Sequence, residues 1–441
     1  MSIDTRRHFL KKSTLLAGST FGFPAIVSGQ NLNSKIQVAC IGVGGKGDSD
    51  TKNAAKCGGH IAALCDIDRN TVDRMAKTFP KASKHSDFRE MLSSIGDKID
   101  AVTVSTPDHL HGVASIMAMQ MGKHIYCQKP LTQTVWESRF MRNLAREKKL
   151  ATQMGNQGSA ANGLRRSVEI IQSGVIGNPK ELHVWTNRPV WPQGLERPAG
   201  SDPIPEGLNW DCFIGPAQMR PYKKDLYHTF KWRGWSDFGT GALGDMACHT
   251  IDGAVWGLRL TEADTFQVEA ESGGPKNGGH ALDAVVRWDF PARGDMPAMS
   301  LWWYQGNAKP KNPKGLGKLN YSTLYHGEKG FMTSSSHCGG GDLLPKSFAK
   351  SVKQAEKTIA RVPSHSGDWI RAMKDKSAPA PSCNFDYSGR LTEIVLAGIV
   401  ALEVGEKLTF DMKTSKFTNN DNANAFLWRK PRKGWEFGYP A

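Results

Sequence analysis

Lys35-Ile-Gln-Val-Ala-Cys-Ile-Gly-Val-Gly-Gly-Lys-Gly47 is the stretch from which the fold is read. Its apolar run, Ile36, Val38, Ala39, Cys40 and Ile41, suits a buried strand and passes directly into Gly42, Gly44 and Gly47. That G-x-G-x-x-G spacing is what a dinucleotide-binding turn requires. The first glycine permits the tight turn, the second lets backbone approach a pyrophosphate, and the third lets the next helix pack closely on its strand. The helix then directs its N-terminus at the phosphates.

Working outward, Asp66 ends the predicted strand Ile61–Cys65 and lies 24 positions beyond Gly42. A spacing of about 20 is expected for a carboxylate that accepts the adenosine-ribose hydroxyls. Such a carboxylate repels a 2′-phosphate, so NAD is the expected cofactor, with NADP the alternative through the nearby Arg69. Further predicted strands at 99–105, 123–127 and 151–154, with helices between them, extend a parallel doubly wound sheet. Ligands of such sheets bind outside the carboxyl ends of the strands. That places Gly42, Val43, Gly44, Gly47, Asp66, Thr106, Pro107, His109, Gln128, Lys129, Asn156 and Gln157 at the cofactor.

Beyond Gly155 the pattern changes. Apolar and polar residues alternate over 181–189, 266–271, 284–290 and 298–303, which suits an antiparallel sheet with one covered face. The Gly/Pro-rich segments 305–318, 337–346 and 375–384 read as loops. The expected fold class is therefore α/β: an N-terminal Rossmann doubly wound parallel sheet over 34–156, then a C-terminal α/β domain with a large, mostly antiparallel open sheet over 157–441. Two domains also suit the length of 441 residues.

Residues 1–29 read as a twin-arginine signal peptide. Arg6-Arg7 precede Phe9-Leu10, a weakly apolar stretch follows, and Ser28-Gly29 offer a cleavage point. A periplasmic or otherwise exported protein is expected, carried folded and already loaded with its cofactor. The net charge of +15 is spread along the chain, so a solvated surface and no nucleic-acid partner are expected. No segment offers the roughly 18 unbroken apolar residues of a membrane span. The eight cysteines lack C-x-x-C spacing and read as packed thiols, with no metal site expected.

The chemistry is read from two places. Asp245 and His249 are spaced i, i+4 and share one helix face, so the carboxylate is expected to orient a histidine acting as general base for an alcohol. Lys129 stands at a strand end on the cofactor side, fixed by Pro130, where its ammonium can donate to the reacting oxygen. Trp185, Trp191, Trp232 and Trp235 are candidates to stack on a substrate's apolar face, with Asp252 a further candidate contact.

Together the Gly42–Gly47 turn, Asp66, Thr106-Pro-Asp-His109, Gln128-Lys-Pro130 and Asp245-x-x-x-His249-x-x-Asp252 resemble the Gfo/Idh/MocA oxidoreductases, in their exported branch. The resemblance implies oxidation of a hydroxyl of a sugar, glycoside or polyol by a nicotinamide cofactor. It also implies a catalytic Lys129, Asp245 and His249, and a C-terminal sheet that joins subunits into a homo-oligomer, a dimer or tetramer. Outside the cytoplasm no free nicotinamide pool exists, so a tightly bound, non-exchanging cofactor is expected. The alternative is an NAD-dependent glycoside hydrolase or lyase working by transient oxidation and elimination, with no net redox change. One departure is visible: the family usually has Glu before the Lys-Pro pair, where this chain has Gln128.

Overall fold

A computed structural model describes residues 35–272, 278–313, 316, 319–437 and 439. The segment read as a signal peptide lies outside the described residues.

Six parallel strands form the first sheet, in the order β3-β2-β1-β4-β5-β6. They are β1 (Ile36–Ile41), β2 (Gly59–Cys65), β3 (Ser83–His85), β4 (Ala101–Val104), β5 (His124–Cys127) and β6 (Thr152–Met154). Helices α1 (Lys46–Lys56), α2 (Arg69–Ala76), α3 (Phe88–Ile95), α4 (Asp108–Gln120) and α5 (Val135–Glu147) join them. The doubly wound reading holds, and the physical cause is visible in β1 and β4, whose residues are almost wholly buried because helices cover both faces. Several helices start where a side chain satisfies their first N–H groups. Asp68 caps α2, Asp87 caps α3, and Thr134 with Glu137 forms a reciprocal capping box on α5.

After helix α6 (Asn162–Gln172), nine strands make the second sheet, in the order β13-β12-β11-β7-β10-β9-β8-β14-β15. They are β7 (Pro179–Trp185), β8 (Thr265–Ser272), β9 (Ala284–Phe290), β10 (Met299–Gln305), β11 (Thr323–Gly327), β12 (Phe331–Ser334), β13 (Gly340–Leu344), β14 (Leu408–Asp411) and β15 (Lys416–Phe417). Only β7 and β10 run parallel; the other neighbours are antiparallel. In β9 and β10 every second residue is buried, so one face packs inward and the other carries Arg287, Asp289, Trp302 and Tyr304. Between β7 and β8 lie α7 (Trp210–Ile214), α8 (Gly241–Thr250) and α9 (Asp252–Gly257), and after β13 come α10 (His365–Lys374) and α11 (Phe385–Val404).

One reading is corrected. Segment 337–346 is not all loop, because residues 340–344 form β13 and pair with β12. Its glycines hide a strand that exists through its neighbour and not through its own propensity. The sequence reading also missed β11 and β12, short strands between turns. One continuous hydrophobic cluster joins the two sheets, from Ile41, Val104 and Cys127 through Leu391 and Ile394 of α11 to Trp288 and Trp303.

Candidate active site

The glycine turn stands at the carboxyl end of β1. Gly42 has φ +75°, and a Cβ there would lie 2.7 Å from the Ser105 carbonyl oxygen; a Cβ on Gly47 would lie 1.8 Å from that of Gly42. Both neighbours are backbone, so neither position accepts a side chain. At Gly45, φ +52°, the space beyond the Cα is open, and here the N-terminus of α1 faces a cleft. The Thr106 hydroxyl beside it is buried with no hydrogen-bond partner. An open, side-chain-free cradle at a helix N-terminus with a spare hydroxyl fits the pyrophosphate of a dinucleotide. Asp66 lies on the same cleft, accepting from Val43 N at 2.9 Å, Gly44 N at 3.1 Å and Asp68 N at 3.1 Å. Burial raises its pKa above the ordinary carboxylate value against the pull of these donors.

The cleft has a volume of about 740 Å³ and runs from Gly42 and Asp66 past Thr106, Pro107, Gln128 and Gln157 to Lys129, Asp245 and His249. Lys129 Nζ donates to both the backbone oxygen of Asp245, at 2.7 Å, and its Oδ1, at 2.8 Å. Arg233 Nε adds a third contact to Asp245 Oδ1 at 3.1 Å, and its guanidinium lies over the Trp232 ring. Burial alone would raise the Asp245 pKa, but Lys129 and Arg233 outweigh it and hold it at about 2. The Lys129–Pro130 peptide is cis. His111 fixes this loop, its ring lying 2.8 Å from Pro130 O and 2.9 Å from Thr106 O.

His249 belongs to a different network. Its Nδ1 pairs with Asn156 Oδ1. Asn156 Nδ2 donates to Cys248 O and to Asp252 Oδ2, each at 2.8 Å, and Tyr387 OH donates to Asp252 Oδ1 at 2.6 Å. Since Nδ2 has two acceptors, Oδ1 must accept, so His249 carries its proton on Nδ1 and presents Nε2 as a lone pair. Burial and the nearby Lys129 and His337 push its pKa well below the ordinary histidine value. The expectation that Asp245 orients His249 is therefore corrected. Two cations from distant segments hold Asp245, and Asn156 orients the histidine.

Other candidates divide between cleft and core. Trp232 and Trp191 line the cleft. Trp235 is 1% exposed, and its Nε1 donates to Leu226 O, so it is a core residue and not a substrate contact. Trp185 packs edge-on against Tyr321, on the strand β7. His109 is likewise no cofactor contact: its buried ring lies 2.8 Å from Phe213 O and 3.2 Å from Phe238 O, tying the Rossmann sheet to the second domain. Val43 contributes only backbone, its side chain being wholly buried. Asn156 and Asp252 are fully buried and hold His249 without lining the cleft. Gln128 lines the cleft but spends Nε2 on the buried Asp50 at 2.7 Å.

The sequence reading missed Arg233, Asp50, Asp108 and His337. Asp108 was legible only as the third residue of Thr106-Pro-Asp-His109. Buried, it accepts from Thr240 Oγ1 at 2.6 Å, and burial lifts its pKa to about 7 against the pull of Thr240, Lys129 and Arg233. A second cavity of about 700 Å³ lies between α1 and α10, sharing Lys46 and Gln157 with the cleft. None of Lys129, Asp245 or His249 lines it.

Residues 36–156 match the oxidoreductase family's NAD-binding Rossmann fold, and residues 163–290 match the same family's C-terminal alpha/beta domain. Among curated relatives, a levoglucosan dehydrogenase of Pseudarthrobacter phenanthrenivorans is 27% identical over 40% of this chain and 37% of its own length. A glycosyl hydrolase family 109 protein of Shewanella pealeana is 28% identical over 30% of this chain and 35% of its own. Each alignment thus spans well under half of the relative. A solved structure, the WlbA dehydrogenase of Bordetella pertussis with NADH and UDP-GlcNAcA, shares the fold at a TM-score of 0.59 and 14% identity, over 85% of this chain and 97% of that one. The chain belongs to the Gfo/Idh/MocA family of oxidoreductases.

Proposed function

We propose that this oxidoreductase oxidises a hydroxyl of a sugar, glycoside or polyol, using NAD held in the glycine cradle. One observation carries the reading: a single cleft joins the Gly42–Gly47 turn to Lys129 and to the open Nε2 of His249. NAD held by the Gly42–Gly47 turn and Asp66 would supply a hydride acceptor for the carbinol carbon. His249 Nε2 takes the hydroxyl proton, and the N–H of Lys129 not used on Asp245 donates to the same oxygen. Asp245 and Arg233 hold Lys129 in place, Asn156 holds His249, and Trp191 and Trp232 supply apolar surface for a sugar ring. Asp66 on the cleft favours NAD over NADP. The sugar substrates named for the relatives support the substrate class.

Three further features belong to this proposal. The Arg6-Arg7 segment directs export, the cofactor stays bound through the cycle, and the open face of the second sheet, with Arg287, Trp302 and Tyr304, joins subunits.

The test is reduction of NAD or NADP by the purified protein against levoglucosan, myo-inositol and simple glucosides. The expected result is reduction of NAD by at least one of them, abolished in Lys129→Ala with NAD affinity retained. Full activity of Lys129→Ala would sink the reading. The similarity to a glycosyl hydrolase favours a second reading, in which the hydride returns after elimination. Release of the aglycone from a glycoside, without an added electron acceptor, would select it.

A further inference from the structure

Building on that reading, we propose that His337 carries the substrate's proton from His249 out to water. His249 is 6% exposed. Asn156 occupies its Nδ1, so a proton taken from the substrate sits on Nε2 and must leave from there. The His337 ring lies beside it, 4.5 Å between centroids with the planes 35° apart, and unlike His249 it is exposed to solvent.

The spacing of the two rings is built in. The turn Ser335–Gly339 closes on itself through Cys338 N to Ser335 O at 2.9 Å, Ser335 N to Gly339 O at 2.8 Å and Gly339 N to Ser335 Oγ at 3.1 Å. Cys338, next to His337, is then fastened to the end of α8. Its thiol lies 3.1 Å from His249 O and 3.2 Å from Thr250 O, and it accepts from Gly253 N at 3.2 Å. Ser167 Oγ holds Cys338 O at 2.8 Å. The two histidines are therefore tied together through the backbone of one and the neighbour of the other. Ser336 Oγ lies 3.1 Å from His337 Nδ1, which leaves Nε2 as the other ring nitrogen. Lys129 disfavours positive charge on both rings, Lys46 does so more weakly on His249, and Asp245 alone opposes them. A proton arriving on His249 is thus driven toward solvent.

The balance is simple. The O–H bond breaks and its proton joins His249 Nε2, while the carbinol hydrogen leaves with its electron pair to the nicotinamide. His249 passes the proton through one bridging water to an unprotonated nitrogen of His337, which gives it to bulk solvent, and both rings return to their starting state. Each oxidative half-reaction releases one proton and needs this exit. A closed cycle that returns hydride and proton to the substrate releases none overall.

The experiment compares the full chain with His337→Gln. In substrate-free protein, nitrogen-detected titration of His249 should show its midpoint rising in the variant, because a neighbouring positive charge has gone; an unmoved midpoint overturns the proposal. With the first sugar of the panel that wild type oxidises in weak buffer, kcat should fall about tenfold or more at unchanged KM, and free imidazole should restore it. A raised KM with intact kcat makes His337 a sugar contact, and a loss that imidazole does not restore makes it structural; either overturns the relay. If wild type oxidises no sugar, the reading of the site fails and the relay fails with it, whereas an oxidising wild type with an unmoved His249 midpoint sinks the relay alone.

Discussion

Gln128 Nε2 donates to the Asp50 carboxylate at 2.7 Å, joining the end of β5 to the first turns of α1 beneath the glycine cradle. The same carboxylate, 3% exposed, also accepts from Ser105 Oγ and Lys46 Nζ. The negative charge that a glutamate would bring to position 128 is thus already present on Asp50, one hydrogen bond away.

Gln128→Glu should therefore set two carboxylates against each other. The expected cost is about 3 kcal/mol of stability, with weaker NAD binding. Asp50→Asn combined with Gln128→Glu reverses the donor and the acceptor and should recover most of both. Urea unfolding and NAD titration of the two single variants and the double variant decide it; a double variant no better than Gln128→Glu contradicts the pairing.

On the proposed mechanism, Asn156 should set the acid limb of the pH–rate profile through its pairing with His249. His249 works as a base only when unprotonated, and its pKa is held well below the ordinary histidine value, so wild-type activity should persist as pH falls through the usual histidine range. Asn156→Asp adds a carboxylate that favours the imidazolium, raises that pKa and moves the acid limb to higher pH. Asn156→Leu removes the acceptor and should lower kcat by about 10²-fold or more, with cofactor affinity retained. An acid limb that stays put in Asn156→Asp excludes His249 as the base.

Asp108 makes folding stability depend on pH. Its pKa is raised from 3.8 to about 7 in the folded chain, so between those values the folded protein holds a proton that the unfolded chain does not. Stability from this group is greatest below the unfolded value and declines as pH rises through the folded one. Asp108→Asn should flatten that decline. Urea midpoints for both proteins at the two ends of this window test it; identical slopes would refute the assignment.

Gly47→Ala places a methyl group 1.8 Å from the Gly42 carbonyl oxygen, a backbone atom that cannot swing aside. The expected result is a loss of about 3 kcal/mol or more together with NAD binding, followed by thermal melting and NAD titration. Retained NAD affinity would mean that the turn does not hold the cofactor.

Local patterns carried much of the fold into the sequence reading. The apolar run of β1 and its glycines define a strand, turn and helix within a dozen residues, and Lys129 follows from the strand end before it. What stayed hidden depends on contacts between distant segments. The i, i+4 spacing of Asp245 and His249 is real, yet Lys129 and Arg233 reach Asp245 from 116 and 12 positions away and bind it instead. Asn156 and His109 looked like cofactor ligands because they follow β6 and β4, but their side chains turn inward. His337 sits in a glycine-rich turn with no periodicity, and only its packing on α8 reveals it.

The hydrophobic cluster that runs from Ile41 through α11 to Trp288 has a consequence for how the chain comes apart. Two domains by architecture share one apolar interior, with His109 bonded across the join and Trp435 of the carboxyl-terminal tail packed on Phe88 and Arg89. Each sheet packs one face into this shared cluster, so heat should unfold the described chain in one cooperative step. Occupancy of the glycine cradle at one end should then raise the melting temperature of tryptophans buried in the sheet at the other.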